Sequence, residues 1–180
     1  RDLPSRISFE VAEQEALLCA DLGQIFIVNT DGCVFKPALA ENTQTMPTVR
    51  GLNISAEYWV DAPDFCLWTA KRGIPPTEVN KIAALQEFLS LCETNTNVLG
   101  LRLISDIETD GLTGITAILR DGRVVKFGFG NLVKKFSNYS RFAANADAFF
   151  ANAEIKAVDL RDTARIVVKQ EILPVNTKSS

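Results

Sequence analysis

Histidine is absent from all 180 residues. That removes both the commonest general base and the commonest transition-metal ligand. Cysteine is sparse: Cys19, Cys33, Cys66 and Cys92 lie too far apart for a CxxC pair, so neither a zinc site nor a redox dithiol is indicated. They read as small buried apolar residues, with a Cys19–Cys33 bridge between sequential strands as an open alternative in an oxidising compartment. No basic run is present and the formal charge is −3 with a pI of about 5.1. The electrostatic footprint that phosphate backbones require is therefore missing, and no nucleic acid partner is expected. No apolar stretch approaches the roughly 20 residues needed to span a bilayer. The chain opens at Arg1 with neither Met nor a signal peptide, which suits either a cytosolic protein or one whose membrane anchor lay upstream. P-loop, nucleophile-elbow and dinucleotide fingerprints are missing too.

What remains is 47% apolar and 23% charged residues, the balance of a globular domain long enough to bury a core. Ile7, Phe9 and Val11 alternate with polar neighbours as in a half-buried strand, and Leu17–Ala20 and Ile25–Val28 are short apolar runs. Asp31-Gly32 turns the chain into Cys33-Val34-Phe35, so the opening is a strand meander. Residues 36–76 are rich in proline and glycine around an aromatic patch of Tyr58, Trp59, Phe65 and Trp68. Such a patch is either a lid folded onto the core or a contact surface.

Thr77 is placed to cap a helix from Glu78, whose stripe runs Val79, Ile82, Leu85, Leu89 and Cys92. Leu99, Leu101 and Leu103 alternate, then Ile115, Ala117 and Leu119, then Val125, Phe127 and Phe129. With turns at Gly111 and Asp121-Gly122, these predict three consecutive antiparallel strands. Asn131 is placed to cap a second helix with stripe Leu132, Phe136, Tyr139, Ala143, Ala146 and Phe150, leaving Lys134 and Lys135 off it. Ile155–Leu160 and Ala164–Ile172 finish as strands, the last at a sheet edge. The fold class is α+β: a mainly antiparallel sheet with two amphipathic helices.

Three carboxylate groups are the candidate acid/base or metal sites: Asp61 with Asp64; Asp106 with Glu108 and Asp110; Asp159 with Asp162. The second borders Gly111, where Asp favours turn hydrogen bonds. A weak calcium site there has no EF-hand pattern to support it. No catalytic residue, cofactor or metal is expected.

The order of these motifs resembles one family. Pro4 followed by Ile7-Ser8-Phe9-Glu10-Val11-Ala12-Glu13-Gln14-Glu15-Ala16 is similar to the "P-x-L-x-I-x-V-x-E-R-x-P-x-A" strand closing the POTRA domain of the bacterial cell-division proteins FtsQ and DivIB. Ile27-Val28-Asn29-Thr30-Asp31-Gly32-Cys33-Val34-Phe35 resembles that family's "yLVDxxGxvF", and Met46-Pro47-Thr48-Val49-Arg50-Gly51 its "LPxLxG". The run from Ile118 to Gly128 resembles "LxdGxxVxlG", Lys135-Phe136 the "KL" helix, and Val158-Asp159-Leu160-Arg161 the closing "iDLR". Gln14, Ala16, Asn29 and Met46 depart from the usual Arg, Pro, Asp and Leu, and residues 53–76 form a longer, more aromatic connection.

The resemblance implies the end of a POTRA domain at 1–13, an FtsQ-type β domain at 14–173 and a disordered tail at 174–180. It also implies a non-enzymatic divisome scaffold on a single-pass cytoplasmic-membrane protein, with this domain outside the membrane. That scaffold binds FtsB and FtsL and regulates septal peptidoglycan synthesis. The physical means expected is strand addition at the last strand, where Arg165, Val167, Lys169 and Glu171 face one way and Ala164, Ile166, Val168, Gln170 and Ile172 the other. The candidate surface is Arg161, Asp162, Ala164, Arg165, Ile166, Val167 and Val168. The Arg161 fork is free either to hold an acidic partner residue or to pair locally with Asp159 or Asp162. Two other readings stand beside this one. The charged edge is merely protected against pairing, or the domain is a secreted carrier in which Phe127, Phe129, Phe136, Phe149 and Phe150 line a cavity for a small apolar ligand.

Overall fold

Short apolar runs separated by turn residues fold back on one another here, and each turn uses a backbone conformation its sequence permits. The computed structural model describes residues 13–55, 65–69, 74–150 and 153–172. The Ile7–Val11 strand, Tyr58, Trp59, Asp61, Asp64, the 1–13 boundary and the 174–180 tail lie wholly or mostly outside those residues.

β1 (Ala16–Asp21) turns at Gly23 into β2 (Ile25–Asn29), which returns as β3 (Val34–Pro37). In that second turn the Asn29 side-chain oxygen accepts the Cys33 amide at 2.7 Å, and Gly32 takes φ +80°. A short helix, α1 (Ala40–Thr45), leads to β4 (Thr48–Arg50). Next come α2 (Pro76–Thr94), α3 (Thr96–Leu99), a 3-10 turn (Leu101–Leu103), β5 (Ile104–Asp110), β6 (Gly114–Leu119) and β7 (Val124–Gly128). The chain closes with α4 (Leu132–Phe149), β8 (Ala153–Asp159) and β9 (Val167–Ile172).

The strands form one nine-stranded sheet in the order β3-β2-β1-β4-β5-β6-β7-β8-β9. Five neighbouring pairs are antiparallel and three parallel: β1–β4, β4–β5 and β7–β8. The sheet is thus mainly antiparallel, as expected. The three parallel joins fall where the chain crosses over between strands, the connection parallel pairing needs.

α2 and α4 pack on the same face, and three rings fill the space beneath them. Phe127 of β7 stacks on Phe136 of α4 at 4.9 Å, and Phe88 of α2 meets both, at 5.2 and 5.6 Å. Phe88 was not in the expected stripe, yet it is fully buried beside Ile82, Leu85, Leu89 and Cys92. A buried ion pair between Lys81 and Glu78 (2.9 Å) clamps α2 to the turn after β4, because Lys81 also donates to the Gly51 carbonyl and Glu78 accepts the Asn53 amide.

Four expectations need correction. The strand over Leu99–Leu103 is the end of α3 and a 3-10 turn; Leu99 is buried while Leu103 is exposed, so the alternation does not mark two faces. α2 starts at Pro76 rather than being capped by Thr77, since proline's missing N–H costs nothing in a first turn. Asn131 holds the N-cap position of α4, but at φ +50° and without a side-chain capping bond. Ala143 is exposed, while Lys135, set apart from the stripe, is buried with its ammonium donating to the Phe129 carbonyl at 2.7 Å.

The cysteine pairing also differs. Cys19 sits opposite Ile27 inside the sheet, whereas Cys33 lies past the β2–β3 turn at the outer edge and is bonded to Cys66. Cys19 and Cys92 remain free and buried; burial raises both thiols, Cys92 to about 12. Native protein at pH 8 is therefore expected to show no rapid reaction with a thiol reagent at either residue, and full reaction after denaturation; fast native labelling would contradict the burial. Phe127→Ala is expected to cost about 3–5 kcal/mol by urea unfolding, the cost of emptying a packed aromatic site.

Candidate protein-binding edge

The C-terminal hairpin begins with a fixed strand. β8 lies parallel to β7, Val158 is buried, and Leu160, fully buried, donates its amide to the Lys126 carbonyl at 2.8 Å. The loop after Leu160 is ordered by its own charges. Arg161 grips Asp159 through its side-chain fork at 2.6–3.0 Å, and the Asp159 carboxylate also accepts the Arg161 amide. Those contacts, the side-chain hydrogen bond first, hold the Asp159 carboxyl below its ordinary range. Arg161 also lies over Gly128, where an added Cβ would press on its Cγ. Asp162 accepts the Ala164 amide at 2.8 Å and pairs with Arg165 at 2.7 Å. Asn138 of α4 ties the loop down by donating to the Thr163 carbonyl. Arg161 thus pairs locally with Asp159 in the free domain.

Beyond the loop, Ile166 packs against the core and Val167 begins β9. β9 pairs with β8 from Asp159↔Val167 to Ala153↔Ile172 and has no other strand neighbour among the described residues. Val167 is 59% exposed and Ile172 76%, large values for apolar strand residues. Ile166 and Val168 are half-buried as the core-facing set requires, but Ala164, Gln170 and Ile172 are exposed because helix cover stops short of them. Lys156 of β8 bridges Glu154 and Glu171, tying β9 down at its far end.

Two grooves lie at the start of this edge and touch β9 itself only at Val167. One, of about 370 Å³, is lined by Asp159, Arg161, Asp162, Arg165 and Val167. The other, of about 290 Å³, is lined by Asn138, Arg141, Phe142, Asn145, Phe149 and Ile166. This second groove was missed in the sequence; the signal was Phe142 and Phe149, seven residues apart and so on one helix face.

The other candidate carboxylates among the described residues serve the fold, while Asp61 and Asp64 lie outside those residues. Asp106 pairs with Arg50, which also reaches Asp21. Asp110 accepts the Leu112 and Thr113 amides, which lower its pKa. No cluster of three potential metal ligands occurs among the described residues. Phe65 is buried and Trp68 packs on the core, so this part of the aromatic patch is a lid. Phe129 and Phe149 are exposed, and Phe127 and Phe136 fill solid core. Those four rings share no common cavity, while half-buried Phe150 lines a separate groove with Asp121, Arg123, Ala146 and Ile155.

Residues 16–161 match the family model described as cell division protein FtsQ/DivIB, C-terminal. The chain belongs to the FtsQ/DivIB family. It is similar to the cell division protein FtsQ of Anaeromyxobacter sp. (strain K), 26% identical over 163 residues that cover 89% of this chain and 50% of that protein. The chain thus spans about half the length of the curated relative it matches. Family membership points to a role in cell division; no described helix is long and apolar enough to cross a membrane. The match ends at Arg161, before β9.

Because the folded Asp159 carboxyl titrates below the unfolded value near 3.9, the Asp159–Arg161 pair stabilises fully above that value and is lost as pH falls through the folded pKa. A carboxyl-carbon NMR titration is expected to place the Asp159 midpoint below that of free aspartate and to return it upward in Arg161→Gln. An unchanged midpoint in the variant would contradict the pairing.

Proposed function

We propose that this domain is a non-enzymatic divisome scaffold that captures a partner of the FtsB and FtsL type by strand addition along the outer side of β9. The single observation that carries this reading is the terminal place of β9, with Val167 and Ile172 exposed and a backbone row that pairs with no other strand among the described residues. A row of main-chain donors and acceptors supplies binding, and the two flanking grooves supply selectivity for the side chains that alternate on an incoming strand. Residues Arg161 to Val168 form the entry to that edge: the Asp159–Arg161 and Asp162–Arg165 pairs fix the loop, and Val167 and Val168 start the strand. Lys169 and Glu171 discourage pairing with an identical strand while leaving a complementary one free to dock.

The domain acts outside the cytoplasmic membrane, tethered through a single-pass segment upstream, and through its partners regulates septal peptidoglycan synthesis. The Cys33–Cys66 bond supports that placement, because such bonds persist in oxidising compartments.

In an antiparallel pair, neighbouring residues point their N–H groups to opposite sides of the strand. Val168→Pro and Lys169→Pro therefore remove one inward and one outward donor between them. The variant that keeps its melting temperature is expected to lose binding of a soluble FtsB-type segment by at least about tenfold, roughly 1.4 kcal/mol, in calorimetry. Two stable variants that both bind normally would overturn the reading.

A further inference from the structure

Two grooves lie at the start of the β9 edge, and their charges differ. In the one lined by Arg161 and Arg165 each guanidinium is already engaged, by Asp159 at 2.6 Å and by Asp162 at 2.7 Å. In the one between α4 and Ile166, of about 290 Å³, the cation is Arg141, and no carboxylate belongs to the lining. Arg141 donates to the Asn138 side-chain oxygen at 2.8 Å and forms no ion pair among the described residues. Asn138 is buried, and its amide donates to the Thr163 carbonyl at 3.1 Å, so the guanidinium is held by the same side chain that fixes the loop before β9. The remaining walls are largely apolar. Phe142 and Ile166 are half-buried against the core, and Phe149 stands 78% exposed two helical turns beyond Phe142.

Side chains along a strand alternate between two faces. Val168 opposes buried Val158 and so faces the helices, as does Ile166 two positions before it. A strand added at β9 sets its side chains about 4.5–5.5 Å from those they oppose and alternates in the same way. Its helix-facing side chains therefore pass over Ile166 toward the Arg141 groove.

We propose that this groove reads the incoming strand, and that its occupant is an apolar segment bearing a carboxylate, with one acidic and one large apolar side chain on the same face, two positions apart. The proposal rests on strand addition at β9 and names the partner chemistry that goes with it. A guanidinium fork matches a carboxylate through two parallel hydrogen bonds. Of the three guanidiniums beside β9, Arg141 is the one that gains an ion pair without breaking one. Phe142, Phe149 and Ile166 supply the apolar surface for the neighbouring side chain, and the exposed Phe149 ring is what the occupant covers.

The test measures by calorimetry how a soluble FtsB-type segment binds the wild-type domain, Arg141→Gln and Phe149→Ala. Each titration is repeated with segments in which one acidic residue at a time is replaced by its amide. Both substituted side chains are exposed, so both variants are expected to keep the wild-type melting temperature. Arg141→Gln is expected to weaken binding roughly tenfold at low salt and by less at high salt, and Phe149→Ala by a similar factor. One amide-substituted segment is expected to lose that factor against the wild type and nothing further against Arg141→Gln, the coupling a direct pair requires. Losses that add independently, or wild-type affinity in both variants, would overturn the proposal. Amide exchange tells that failure apart from failure of strand addition itself. Protection of β9 by the segment then leaves strand addition standing without this groove, whereas a bound segment that leaves β9 unprotected removes both.

Discussion

A β-sheet cannot satisfy its outermost backbone by itself, and the organisation of this domain follows from that constraint. The nine described strands leave two lateral rows of peptide groups. At the start of β3, Phe65 and Leu67 hydrogen-bond to Val34 and Gly32 beside the Cys33–Cys66 disulfide. At β9 the row has no neighbour among the described residues. An exposed edge is a hazard unless something is meant to occupy it, and the residues around β9 both blunt it with charge and shape it with grooves.

The interior keeps that edge rigid. Phe88, Phe127 and Phe136 lock α2 and α4 onto one face of the sheet, so α4 has a fixed position from which Asn138 holds the loop before β9. On the loop itself, Asp159 and Asp162 accept backbone amides and pair with Arg161 and Arg165. Exposed pairs of this kind add little stability, because water screens their attraction. Their value lies in fixing the path of the chain into β9.

Local patterns made much of this legible beforehand. Alternating apolar residues placed β6 and β7, and Asp-Gly turns placed the β2–β3 and β6–β7 hairpins, because side-chain sidedness and turn chemistry are encoded within a few residues. What required the whole fold was not legible. The Cys33–Cys66 pairing joins segments that only the sheet brings together, and Leu99–Leu103 shows apolar alternation in a helical turn. Lys135 is buried with its ammonium on the Phe129 carbonyl, six residues back and before the helix, which no periodicity records. Two departures from the family pattern proved to be partners: Gln14 and Asn29, standing where Arg and Asp are usual, hydrogen-bond to each other, so a neutral amide pair takes the place the charged types would hold.

The claim on which the functional account stands is that β9 gains a neighbour when a partner binds. Amide exchange of the oxidised domain, measured with and without a saturating soluble FtsB-type segment, addresses it at single residues. The account predicts new protection at alternate amides between Val167 and Ile172, those that face away from β8, with β3 unchanged. Protection confined to another surface, with β9 exchanging as in the free protein, would contradict it.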